Sequence, residues 1–261
     1  MTQGQIPIDE YQTGNTKHTW DHAKIKNARK ILASYRYTKG TVQRGYANRT
    51  LAVNLSTLSI TEKPVTDDMK RLFTGGRGFG LKLLWDVIQP TTRWDSPENE
   101  LIVTTGPLCG ITQYPGAGKS ICLSISPSTN TICDCNVGGF FGPYLKFAGF
   151  DALEIQGKAT EDVIVVIDGE AGVVSIETAP LEETNSHLLA EQLTHLHASE
   201  ATESSRQKVS VISSGTGAEH SYWGCLNISF YDIRRKCARM KQAGRGGLGT
   251  VLRDKKVKGI V

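Results

Sequence analysis

Residues 106–151 read GPLCGITQYPGAGKSICLSISPSTNTICDCNVGGFFGPYLKFAGFD, and the fold turns on this stretch. It is poor in charge, rich in glycine and carries four of the six cysteines. Residues 121–125 alternate as a strand. Gly138-Gly139 then stand between a β-rich run and a helix signal over residues 140–149, with Pro143 near the first turn and Gly149 as the stop. Glycine lets backbone N–H groups come close to a ligand because no Cβ intervenes. A helix N-terminus adds unpaired N–H groups that favour an anion. The stretch therefore reads as a seat for a phosphate-bearing cofactor.

Three nucleotide-like motifs are set aside by their context. Gly116-Ala-Gly-Lys119-Ser120 ends like a P-loop, but the glycine required five residues before Gly118 is Gln113, and the run that follows is strand-like. Lys119 can still meet a phosphate as a point charge. Gly75-Gly-Arg-Gly-Phe-Gly80 lacks the dinucleotide spacing and reads as a tight junction between helices over 69–73 and 81–88. Gly244-Arg-Gly-Gly-Leu-Gly249 has the G-x-G-x-x-G spacing, but a polar basic segment, residues 234–243, precedes it in place of an apolar strand. With Lys241 and Arg245 alongside, this loop reads either as an anion cradle or as a solvated basic turn. Cys133-Asp-Cys135 reads as two small buried residues or as a share in a metal or cluster site completed by another chain.

Outward from the centre, strands are expected over 49–55, 58–63, 101–105, 152–156, 209–213 and 256–261, and a hairpin over 163–177. A helix opens at Thr66-Asp67-Asp68, with acidic residues at its positive end, and another covers 181–196. Residues 1–43 form a polar, basic extension in which 20–37 read as a helix docking on its own protein or a partner. His187, His195 and His197 fall in or near the 181–196 helix, where packing or solvent contact is the reading. The 261 residues and mild net charge of +4 fit a globular core and argue against nucleic acid; no apolar run is long enough for a membrane. The first ten residues lack an apolar leader core, so reduced thiols and a cytoplasmic location are expected.

Five separated pieces resemble the N-terminal domain of the tungsten-containing aldehyde ferredoxin oxidoreductase family. They are NLST (54–57), GGRGFG (75–80), SPENELIVTTGPLCG (96–110), NVGGFFGPYLKFAGFDALEIQGKA (136–159) and AGRGGLGTVLRDKKVKGIV (243–261), in family order across residues 44–261. The resemblance implies an α+β fold of mixed β-sheets with peripheral helices, acting as the base of a tungstopterin (or molybdopterin) site. Carried over by position, the cofactor contacts are Lys119, Asn136, Gly138, Lys241, Gln242, Gly244 and Arg245. The family commonly has arginine where Lys119 and Lys241 stand; lysine keeps the charge without the bidentate fork.

Family enzymes continue into two helical domains bearing the cysteines of a 4Fe-4S cluster, the rest of the pterin cage and the substrate pocket. The resemblance thus implies a subunit or fragment of an oxidoreductase acting on aldehydes or related oxo groups. A larger partner would carry the cluster and a ferredoxin-type protein would accept the electrons. No catalytic acid or base and no metal ligand is assigned to this chain. The alternative is a non-catalytic module that binds the pterin cofactor or a partner.

Overall fold

Alternating inward and outward side chains build the molecule from two mixed sheets. The structure is a computed structural model and describes residues 9–13, 16–181 and 183–261, with side chains from His18 onward. Most of the leader reading, on residues 1–8, lies outside the described residues. In chain order the elements are β1 (Asp9–Thr13), β2 (Thr16–Trp20), α1 (His22–Ala28), β3 (Ile31–Arg36), β4 (Arg49–Asn54), β5 (Ser59–Pro64), α2 (Asp67–Phe73), α3 (Arg77–Val87), β6 (Leu101–Thr104), β7 (Ser120–Ile125), β8 (Ile132–Val137), α4 (Phe141–Ala148), β9 (Ala152–Gln156), β10 (Val163–Asp168) and β11 (Val173–Thr178). They continue with α5 (Ser186–His197), α6 (Glu203–Gln207), β12 (Ile212–Ser213), β13 (Leu226–Asp232), β14 (Cys237–Ala243), α7 (Leu248–Asp254) and β15 (Val257–Ile260).

One sheet has the order β5-β4-β9-β6-β7-β8, the other β14-β13-β12-β15-β10-β11-β3, and β1-β2 form a separate hairpin. β4–β9 and β10–β15 pair in parallel; the remaining pairs are antiparallel. The inner faces meet in one core, where Leu51, Val103, Cys122 and Val137 of the six-stranded sheet share a cluster with Val165, Ile176, Ile228 and Ile260 of the seven-stranded one. On the outer side of the first sheet, Phe79, Leu83 and Leu84 of α3 cover Ile102 and Leu123. On the outer side of the second, Leu189 and Leu193 of α5 cover Ile164 and Met240. The result is a four-layer α+β sandwich. Its sheets also meet at their rims, β8 beside β14 and β3 beside β5.

Several sequence expectations are corrected. Residues 20–37 are not one helix: α1 stops at Ala28 with none of its residues buried, and β3 follows, paired antiparallel with β11. The backbone bonds of a sheet edge outweigh helical spacing in so short a segment. Of the four glycines of 75–80, Gly78 and Gly80 lie within α3, which opens at Arg77, and Gly75 and Gly76 stand before it. Gly80 is there for close approach, since a Cβ would sit 2.0 Å from Leu123 Cδ2. The 181–196 helix begins only at Ser186, capped by Asn185, and the 209–213 strand shrinks to Ile212–Ser213. The basic run before Gly244 is strand β14, with Ala238 and Met240 inward and Arg239 and Lys241 outward.

A buried ion pair locks α4 to the first strand region. Lys146 and Asp151 are almost fully buried and bonded to each other. Asp151 also accepts from the Ala47 and Asn48 N–H groups at 3.0 and 2.8 Å, while Lys146 donates to Gly45 O at 2.9 Å. Backbone groups thus bond both members of the pair, as a buried pair requires.

Candidate cofactor-binding site

The two glycine-rich segments meet where β8 runs beside β14. A Cβ on Gly138 would lie 3.3 Å from Lys241 Cγ, so the lysine stem rests on the turn after β8. A Cβ on Gly246 would lie 2.5 Å from Cys133 Sγ, and its φ of +69° is one that glycine adopts freely. Gly118 lies against the carbonyl of Gly139, which brings the start of β7, and hence Lys119, to the same junction. Lys119, Gly138, Lys241 and the Gly244–Gly247 loop, 128 positions apart at their extremes, therefore share one seam.

Asn136 projects outward from β8 opposite Ile121. Gln242 follows Lys241 and is exposed; the pleat sends it to the other face of β14, and its amide reaches only Met240 O at 3.5 Å. Gly244 has open space where a Cβ would stand. Among the described residues, the side chains of Lys119, Asn136 and Arg245 form no hydrogen bond or ion pair. Lys241 makes only a cation–π approach, 5.7 Å from the Phe230 centroid.

The backbone contributes a matching set of donors. The N–H groups of Gly138 and Gly139 on one side, and of Arg245, Gly246, Gly247 and Leu248 on the other, find no acceptor among the described residues. The expectation of a helix N-terminus as the anion seat is modified. Phe141 and Gly142 at the start of α4 are buried. The first turn of α7 is covered by residues 221–224, with Gly249 N–H on Gly224 O at 2.9 Å and Thr250 Oγ1 on Ser221 O at 2.5 Å. Five of the six open donors thus belong to the loops, and the sixth is the first amide of α7. The dinucleotide reading of residues 244–249 also fails, but for a different reason: a strand does precede the loop, yet β14 sits at the sheet rim, three places from β15, with no parallel βαβ unit.

Arg77 was missed as a site residue. It opens α3 and reaches Asp134 on β8 at 2.8 Å, two residues from Asn136 on the same face. Its signal was an arginine inside a glycine run at a helix start. Cys133 lines the seam, while Cys122 and Cys135 pair across β7 and β8 on the inner side. All six cysteines are free. Burial pushes the Cys109 thiol up to about 11 and raises Cys122 and Cys133 as well; at Cys133, Arg245 opposes that shift. No three His, Cys, Asp or Glu side chains converge on a metal-ligand set among the described residues. Nor is any described helix long and apolar enough to cross a membrane.

The donor set suits a large, multiply charged anion with several acceptor oxygens: six open amides, four nearby cations counting Arg77, and one amide side chain.

Comparison with known proteins shows the family and the fold. The family described as "Aldehyde ferredoxin oxidoreductase, N-terminal domain" matches residues 50–261. The tungsten-containing aldehyde ferredoxin oxidoreductase of Pyrococcus furiosus is 34% identical over 216 residues, covering 83% of this chain and 33% of that protein. The aliphatic sulfonate oxidoreductase, WOR-like subunit, of the same organism is 30% identical over 227 residues, covering 83% and 34%. A solved structure, the active site complex BamBC of benzoyl coenzyme A reductase with 1,5 dienoyl-CoA, contains a chain that aligns with a TM-score of 0.69 and 27% identity over 83% of this chain and 30% of its own. The chain spans about a third of the length of the curated relatives it matches.

Proposed function

Because the chain belongs to the aldehyde ferredoxin oxidoreductase family through that family's N-terminal domain, we propose that it supplies the base of a tungstopterin (or molybdopterin) site. It does so as part of an oxidoreductase acting on aldehydes or related oxo compounds. When bound, the metal–pterin group supplies two-electron oxo chemistry. This chain binds and orients the group: Lys119, Lys241 and Arg245 neutralise its phosphates, the amides of Gly138 and the Gly244 loop donate to them, and Asn136 both donates and accepts at the pterin edge. Gln242 adds a polar side chain at the end of β14. No proton transfer is assigned to this chain. A larger partner subunit supplies the remaining cage, the substrate pocket and the 4Fe-4S cluster, and a ferredoxin-type protein in the cytoplasm takes the electrons.

The observation that carries the reading is the seam itself, where cations without counter-charges and amides without acceptors converge from two sheets. An anion bound there would satisfy all of them at once. The test is native, anaerobic purification from the source, with tungsten, molybdenum and iron measured per complex and every accompanying chain identified. One tungsten or molybdenum, iron, and a larger cysteine-bearing partner are expected. A metal-free chain purified alone would overturn the proposal in favour of a binding module.

A further inference from the structure

The seven-stranded sheet has a slot in its interior. β15 lies between β10 and β12, so those two strands are held about 10 Å apart, twice the spacing of neighbouring strands. The ladder runs as far as Val261, whose N–H donates to Val165 O and whose carbonyl takes the Ile167 N–H, both at 2.8 Å. Past that point β10 continues to Asp168, and on the other side residues 209–211 lead into β12. Between them opens a cavity of about 510 Å³, bounded along these edges by Ile167, Gly169 and Ser210 and walled by Phe147 and Ala148 of α4.

Open backbone groups line both sides of the slot. In a parallel ladder a residue sends its N–H and its carbonyl to the same neighbour. The Ile167 N–H points to the β15 side, so its carbonyl does too, one step past Val261. The Gly169 N–H finds no acceptor among the described residues. Across the slot, Val211 directs both backbone groups to β13, accepting from Ser229 N–H at 2.8 Å and donating to Ser229 Oγ at 2.7 Å. Alternation then turns the backbone of Ser210 to the slot. Ser210 is 4% exposed and its hydroxyl is committed to Ser229 O, while its N–H and carbonyl have no partner among the described residues. Buried backbone groups are nearly always paired, so these call for a partner strand.

The geometry specifies the occupant. Ile212 stands opposite Ile260, which places the second position past Ile260 opposite Ser210, as the next hydrogen-bonded pair. The gap admits one extended chain and is too narrow for a helix, itself about 10 Å across or more. Along β15, Ile260 faces the core between the sheets and Val261 the α5 cluster. The same alternation sends the next side chain to Leu145, Phe147 and Ala148 of α4, and the one after it to His197 at the end of α5. At the mouth Lys208 and Glu170 already pair at 3.1 Å, so apolar fit and backbone bonding select the occupant, not net charge. A second copy of this chain has no strand to lend, because every described strand is already held in a sheet.

We propose that the slot receives an extended segment of the larger partner polypeptide, laid in line with β15, parallel to β10 and antiparallel to residues 209–211. The inference rests on the reading that a larger partner completes the oxidoreductase, and it names where that partner grips this domain. The segment accepts from the Gly169 and Ser210 N–H groups, donates to the Ile167 and Ser210 carbonyls, and presents an apolar side chain to α4.

The test is hydrogen–deuterium exchange, resolved to single amides, on the natively purified complex and on this chain alone. The Gly169 and Ser210 amides should exchange at least about tenfold more slowly in the complex. A diazirine linker attached to Lys208, an exposed lysine at the mouth, should join this chain to an apolar stretch of the partner. Unchanged exchange at both amides, or crosslinks that reach only this chain or a second copy of it, would overturn the proposal. The seam amides of residues 245–248 are read in the same experiment. Protection there with metal present and none at the slot overturns this proposal alone. Protection at the slot in a metal-free complex supports it and overturns the pterin reading alone. A chain that purifies without a partner overturns both.

Discussion

Gly138 and Lys241 face each other across the junction of two different sheets, with only 3.3 Å between the position of a Cβ on the glycine and the lysine Cγ. The lysine stem lies flat on the turn because the glycine has no side chain, and its ammonium stands 5.7 Å from the Phe230 ring centroid. Gly138→Val should push the stem away and lower the retention of a phosphorylated ligand. The expected loss is about tenfold or more, the size of one charge-assisted hydrogen bond. Metal occupancy of the natively purified complex measures it, with circular dichroism confirming an unchanged fold.

Lys241 and Arg245 are exposed, and neither has an ion pair among the described residues, so removing them should leave stability almost untouched. Lys241→Gln and Arg245→Gln should each reduce metal–pterin occupancy, and the double variant more than either. Lys241→Arg should retain it, since charge is what the position supplies. A fall in unfolding temperature in parallel with occupancy would instead make these residues structural.

Gly80→Ala tests the packing of α3 on β7. Its Cβ would stand 2.0 Å from Leu123 Cδ2, inside a fully buried contact. Overpacking of this kind costs about 1–3 kcal/mol. Alanine's higher helix propensity returns less than 1 kcal/mol. A net loss in urea unfolding is therefore expected, and Leu123→Ala in the same background should recover part of it.

The Lys146–Asp151 pair predicts strong non-additivity. Lys146→Met alone leaves a buried carboxylate and should cost about 3–5 kcal/mol. Adding Asp151→Asn should recover a share of that loss, because Asn can still accept from Ala47 or Asn48. A double-mutant cycle on urea midpoints reads the coupling.

His197 sets an acid-side limit. Burial, then Arg29, Lys26 and His22, lower its pKa from 6.5 to about 3. The unfolded chain binds a proton below pH 6.5 that the folded chain resists until about pH 3, so this contribution to stability is present above 6.5 and is lost as pH falls through that window. The stability difference between wild type and His197→Phe should narrow or invert as pH drops from 7 to 4. A difference that stays constant with pH would refute the assignment.

The sequence was most readable where local chemistry and tertiary packing agree. The β4–β5 and β10–β11 hairpins, the Thr66 cap and the Gly149 stop follow from turn residues and caps that act over a few positions. The meeting of the two glycine-rich segments came through the family resemblance, because no local rule joins Gly138 to Lys241. β3 was missed because pairing with β11, more than 130 residues away, decided its form. β14 was missed because charge on its outward positions hid a period of two. Arg77 shows locally only as an arginine in a glycine run at a helix start; its partner Asp134, on a distant strand, lies beyond any local rule.

β15, the last strand in sequence, does not lie at a rim. It sits inside the seven-stranded sheet, held between β12 and β10, and Ile260 reaches the core shared by both sheets. During synthesis this sheet must wait for residues 257–260 before its two halves can join. Until then β10 and β12 expose open backbone edges to any neighbouring strand. The seam two strands beyond β12 is therefore completed only after residues 257–260 have emerged, and the interval before that is the stage at which a chaperone has most to protect.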